Sequence, residues 1–78
     1  MSVYAIRYTD RAAQRREALP GAQRSALEQL EKQLCANPFA GARSNQDNSW
    51  SAFFAGGMIT YVVSNRHIVI NVIDLLAM

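Results

Sequence analysis

The stretch GGMITYVVSNRHIVINVID, Gly56 to Asp74, constrains the fold more than any other part of the chain. It reads as two strands, Gly57 to Ser64 and His67 to Asp74, around a polar turn at Ser64, Asn65 and Arg66. Successive strand side chains point to opposite faces, so Ile59, Tyr61 and Val63 oppose Met58, Thr60 and Val62. In the same way Ile68, Ile70 and Val72 oppose Val69, Asn71 and Ile73. Both faces are largely apolar, a pattern normally buried on two sides.

The remaining sequence supplies cover for one of those sides. Val3 to Tyr8 alternates as a first strand, and Thr9 or Asp10 then caps a helix of strong formers that Pro20 stops. A second helix carries Ala26, Leu27, Leu30 and Leu34 at helical spacing and ends near Asn37, before Pro38. Glu28 and Lys32 make an i,i+4 pair worth only tenths of a kcal/mol, so packing of the leucine stripe must hold this helix. Phe39 to Ser49 reads as a loop and Trp50 to Ala55 as a further strand before the turn at Gly56. The expected fold is α+β and two-layered: a helical hairpin packed on a four-stranded, mainly antiparallel sheet in the order β-α-α-β-β-β.

That fold fits one domain spanning residues 1–78, since so short a chain holds one core. Leu75, Leu76, Ala77 and Met78 are too few to cover the second sheet face. A large bare apolar surface marks a partner interface, and Met58, Thr60, Val62, Val69 and Ile73 are the residues expected to form it. The partner is either another protein or a second copy of the chain. The alternative is that sheet twist and long side chains such as Arg7 and Arg66 shield that face.

Charge and chemistry narrow the function less. The net charge is +2, but its basic side is seven arginines and one lysine, and arginine suits phosphate and carboxylate partners. The N-terminus MSVYAIRYTD lacks a signal-peptide pattern, no run of apolar residues is long enough to span a bilayer, and Cys35 has no partner for a disulfide. A soluble cytoplasmic protein is expected. There is no metal-ligand constellation and no phosphate-cradling glycine loop, so no cofactor is expected.

The elements, taken with GARSNQDNSWSAFFAGGMITYVVSNRHIVINVIDLL, resemble the RelE/ParE superfamily of toxins from type II toxin-antitoxin modules. The resemblance spans the whole chain. It rests on Pro38 and Gly41, Trp50 opening a strand, the Gly56-Gly57 turn, Ile59-Thr60-Tyr61, the Ser64-Asn65-Arg66 turn and the final apolar strand from Ile68 to Ile73. It implies a toxin neutralised by a protein antitoxin that wraps the exposed sheet and helices. In the RelE-like branch the activity implied is cleavage of mRNA at the ribosome; in the ParE-like branch it is inhibition of DNA gyrase without nuclease activity. A third reading is a toxin fold that survives as an inactive interaction module.

The sequence departs from the family where RNA cleavage needs it most. Ser51, Phe53 and Met58 stand at strand positions that are usually basic, and no basic, aromatic tail follows DLLAM. For an endoribonuclease the candidates left are His67, whose imidazole suits proton transfer near neutrality, and Arg66 beside it. With no Asp or Glu placed by sequence to orient it, His67 is read first as a strand-start residue bonded locally. Arg7, Arg11, Arg15 and Arg43 are candidates for RNA or partner binding, or else a solvated surface.

Overall fold

β-branched and aromatic residues crowd the second half of the chain, and there the structure builds most of its sheet. The computed structural model describes residues 4–39 and 41–77. Strand β1 (Ala5–Tyr8) leads into helices α1 (Asp10–Glu17) and α2 (Gly21–Ala36). Strands β2 (Arg43–Ser44), β3 (Trp50–Phe54), β4 (Gly57–Ser64) and β5 (Val69–Ala77) follow. The sheet order is β1-β5-β4-β3-β2, with β1 parallel to β5 and every other pair antiparallel. Val3 and Met78 fall outside the described residues, so the strand expected from Val3 is seen from Ala5 onward.

Helix boundaries follow local chemistry. Thr9 is extended at the N-cap of α1, where its Oγ1 accepts from the Ala12 N–H at 3.3 Å. Asp10 in the first turn and Arg15 and Arg16 in the last complement the helix dipole. Pro20 starts α2 because the missing N–H is no loss at a helix N-terminus. Asn37 ends it in an extended conformation, as the residue before Pro38 must be.

Beneath the helices lies the core. Ala12, Leu19, Leu27 and Leu34 pack onto Ala52, Ile59, Tyr61, Ile70, Val72 and Leu75, all buried. Each large apolar side chain so buried contributes about 1.5–3 kcal/mol, far above a helix-surface ion pair, so the leucines of α2 hold the layers together. Tyr61 is the largest side chain here, and its hydroxyl donates to the Pro38 carbonyl at 2.6 Å. Trp50 packs against the core beside Phe39, with ring centroids 4.9 Å apart.

Three details depart from the sequence reading. First, the sheet has five strands, because Arg43–Ser44 in the expected loop pairs with Trp50 and Ser51. Asn45 drives this: its N–H donates to the Ser49 carbonyl at 2.9 Å, and its Nδ2 donates to Ser49 Oγ and Ser51 Oγ. Second, β5 begins at Val69, with Arg66, His67 and Ile68 in a turn. Ile68 has φ +55°, a left-handed conformation rare for a β-branched residue, and is 48% exposed, so it does not join Ile70 and Val72 in the core. Third, β5 runs on to Ala77.

An irregularity between Thr60 and Tyr61 makes that extension work. Tyr61 pairs with Val72 and Thr60 with Asp74, leaving Ile73 as an extra residue. The bulge resets the alternation, so Val72 and Leu75, three apart, both face the core. DLLA is therefore strand, and Leu75 is core.

Two measurements check this account. A Cβ on Gly57 would sit 2.4 Å from the Leu76 carbonyl oxygen, a backbone atom that cannot move aside, so Gly57→Ala is expected to lower unfolding stability by about 1–3 kcal/mol in urea titrations. Burial pushes the Tyr61 phenol up to about 12, so the folded state keeps its proton where the unfolded chain, near 10, loses it. Stability is therefore full below pH 10 and falls as pH rises through 10 to about 12, and Tyr61→Phe is expected to flatten that part of the fall.

Candidate functional site: the open sheet face and its rim

Opposite the helices, the sheet presents the outward residues of its central strands. Register pairs Met58 with Leu76 and with Phe53, Thr60 with Asp74 and with Ser51, Val62 with Asn71, and Ser64 with Val69. Of the five residues expected as a partner surface, Met58, Thr60, Val62 and Val69 therefore share this face, and Ile73 is the exposed bulge residue beside it. Phe53 is 59% exposed, Leu76 46%, Ile73 43% and Val62 37%. Phe53 and Leu76 flank Met58 across the sheet, and these apolar side chains are only partly covered by the described residues. Side-chain shielding does not close the face.

The same face has no cation at its centre. β3, β4 and β5 contain neither lysine, arginine nor histidine. Ser51 is buried, with its hydroxyl bonded to Asn45, while Phe53 and Met58 lie side by side. Arg7 and Arg43 sit on the two edge strands, β1 and β2, both exposed. Four strand spacings of about 4.8 Å put roughly 19 Å between those strands, too far for both guanidinium groups to hold one phosphate.

Arg66 and His67 lie in the turn between β4 and β5, both exposed. The turn is tied down from outside: Tyr4 Oη donates to Asn65 Oδ1 at 2.9 Å, and the Ala5 N–H donates to the Ile68 carbonyl at 3.0 Å. The His67 N–H donates to Ser64 Oγ at 3.4 Å, while its imidazole and the Arg66 guanidinium have no partner among the described residues. Among the described residues no carboxylate orients the ring.

The arginines of α1 separate by role. Arg11 is exposed and makes no ion pair among the described residues, whereas Arg15 Nη1 donates to Asp74 Oδ1 at 3.0 Å and to the Leu75 carbonyl at 2.9 Å. Arg16 binds Glu31 with two donors, Nε at 3.0 Å and Nη2 at 3.1 Å, and lies over the Tyr8 ring. The Tyr8 hydroxyl also donates to Glu31. Burial, then the bond to the Glu31 carboxylate, pushes the Tyr8 phenol up, and that carboxylate holds Arg16 more firmly protonated.

These links join residues 15 to 60 positions apart, and nothing in the local sequence pattern signals them. Burial first, then Glu31, also raises the Cys35 thiol, which disfavours its thiolate. Among the described residues no group of His, Cys, Asp and Glu side chains is placed to hold a metal ion. No helix there is long and apolar enough to cross a membrane.

No protein-family model matches the sequence, and no curated protein matches it. Solved structures do. A chain of the RelBE2 toxin-antitoxin complex from Mycobacterium tuberculosis superposes with a TM-score of 0.88 at 17% identity, over 100% of this chain and 94% of that one. A chain of the intact Escherichia coli RelBE complex gives 0.83 at 18% identity, over 96% of each chain. The isolated E. coli RelE toxin gives 0.81 at 18% identity, over 95% of this chain and 83% of that one. The chain has the RelE toxin fold.

The Tyr8, Arg16 and Glu31 cluster carries its own test. Glu31→Ala strips the carboxylate from a half-buried guanidinium and a phenol, and is expected to cost about 3 kcal/mol in denaturant unfolding. A loss below about 1 kcal/mol would class the link with surface ion pairs.

Proposed function

We propose that this chain is the toxin of a type II toxin-antitoxin pair and that a protein antitoxin neutralises it by covering the open sheet face. The observation that carries the reading is the pairing of a RelE fold over the full described chain with a sheet whose second face is apolar and bare. Two of the matched structures are toxin-antitoxin complexes, so a fold of this kind is found with a protein partner. Met58, Thr60, Val62, Val69 and Ile73, joined by Phe53 and Leu76, are the contact residues in this reading. The protein acts in the cytoplasm.

For the toxic activity we favour inhibition of translation through cleavage of ribosome-associated mRNA. Arg66 adjoins His67, a proton-transfer group, in the exposed turn, and the ribosome would supply the rest of the electrostatic framework. Arg7, Arg11 and Arg43, all exposed, would contact RNA, whereas Arg15 is partly engaged by Asp74. A second reading, DNA gyrase inhibition without nuclease activity, is favoured by one specific observation: the central strands lack any cation to stabilise the charge that develops during cleavage.

Controlled expression in cells separates the readings. Rapid arrest of protein synthesis with cut mRNA, abolished by Arg66→Ala with His67→Ala, is the expected result. Filamentation and DNA damage would move the assignment to gyrase, and unaffected growth would remove the toxin reading. Phe53→Glu with Val62→Glu is expected to leave thermal unfolding nearly unchanged, since both side chains are exposed, yet to abolish rescue by a co-expressed antitoxin that neutralises the unaltered chain. Rescue that persists would place the antitoxin elsewhere.

A further inference from the structure

Register divides the open face into two unlike ends. At the Gly56–Gly57 end, Leu76, Met58 and Phe53 stand side by side across β5, β4 and β3. Four residues further along β4 the row is Arg7, Asn71 and Val62, across β1, β5 and β4, and the row after it is Ala5, Val69 and Ser64. The β4–β5 turn then adds Arg66 and His67, both exposed. One end is thus apolar, and the corner diagonally across from Phe53 is basic.

That corner has no carboxylate of its own. The ion pairs among the described residues are Arg15–Asp74, Arg16–Glu28 and Arg16–Glu31, so Arg7 and Arg66 enter none of them. Asp74 stands in the row between the two ends, beside Thr60, and is held by Arg15. Asp47 precedes β3 on the other side of β4, where the Ser49 N–H and hydroxyl both donate to it. Asp10 opens α1 in the helical layer. Three strand spacings and four residues along a strand separate Phe53 from Arg7, roughly 20 Å on the diagonal.

We propose that this face takes an amphipathic helix of a partner protein, with an apolar stripe over Phe53, Met58 and Leu76 and acidic residues at the end that meets Arg7 and Arg66. It rests on the reading of the face as a protein interface, and adds what the partner must present there. β4 is paired on both sides, so a segment laid on the face finds no backbone partner. An extended segment would press its own N–H and C=O groups against side chains, whereas a helix satisfies them internally. The inner face is already covered by a helix, the 16 residues of α2, about 24 Å long; the outer diagonal needs about 13 residues. Charge complementarity sets the acidic end, since carboxylates there meet unpaired guanidinium groups. A second copy fits poorly, because Asp74 is the only carboxylate in the rows of this face and is already paired. A nucleic-acid strand would match the basic corner and leave the apolar row uncovered.

The test titrates the isotopically labelled full chain with two capped designed helices of about 14 residues, followed by amide and arginine side-chain NMR. Both carry one leucine stripe; one ends in three glutamates and the other in three lysines. The glutamate peptide is expected to shift Phe53, Met58, Leu76, Arg7 and Arg66, and the lysine peptide to bind at least about tenfold more weakly. Arg7→Glu with Arg66→Glu, both at exposed positions, is expected to keep the fold by the remaining spectrum and to reverse that preference. Binding is read without toxicity, so failure here is distinct from failure of the toxin reading in cells. Equal binding of the two peptides, an unreversed preference in the double variant, or no shifts at millimolar peptide would each overturn the proposal. So would shifts of the same residues on concentrating the chain alone, which would give the face to a second copy, or tighter binding of an oligouridylate, which would give it to RNA.

Discussion

The structure depends on a mismatch between one layer of helices and a sheet that is apolar on both faces. Leu27 and Leu34 of α2, with Ala12 and Leu19, satisfy the inner face completely. Nothing among the described residues satisfies the outer one. The described residues build one helical layer, so surface that would be core in a larger α/β domain is left at the solvent boundary. The partner-binding function proposed for the chain follows from that shortage of cover.

Electrostatics are arranged around the rim of the sheet. Arg16 is committed to Glu31 and Tyr8, Arg15 to Asp74 and the Leu75 carbonyl, and Arg24 to the Glu17 carbonyl, so three of the seven arginines work within the fold. The arginines of the sheet sit on its two edge strands, and the central strands carry none. The central strands of this RelE fold hold no lysine, arginine or histidine. That is why the turn holding Arg66 and His67 matters to any nuclease reading.

Much of the fold was legible from pattern. Alternation in Met58–Val63 placed its two faces correctly because a central antiparallel strand has little freedom to depart from period 2. The proline and leucine spacing bounded α2 to within a residue or two, since proline acts through local sterics alone. The end of the chain was less legible. Asp74 to Ala77 reads as a break in alternation and is strand because the bulge at Ile73 shifts phase, a choice made by pairing with β4. The site was legible as a face, from Met58, Thr60 and Val62, but its added members Phe53 and Leu76 emerge only from register across three strands.

By itself the sequence determined the two helices, the central strands with their alternating faces, and that His67 is the sole imidazole. These are properties of neighbours within a few residues, where sterics and side-chain period act directly. Tertiary structure decided the parallel seating of β1 beside β5, the burial of Leu75, the partners of Arg15 and Arg16, and the short strand at Arg43. Those depend on groups brought together from distant positions by the packing of the helices on the sheet, and no local pattern encodes a contact between residues 15 and 74.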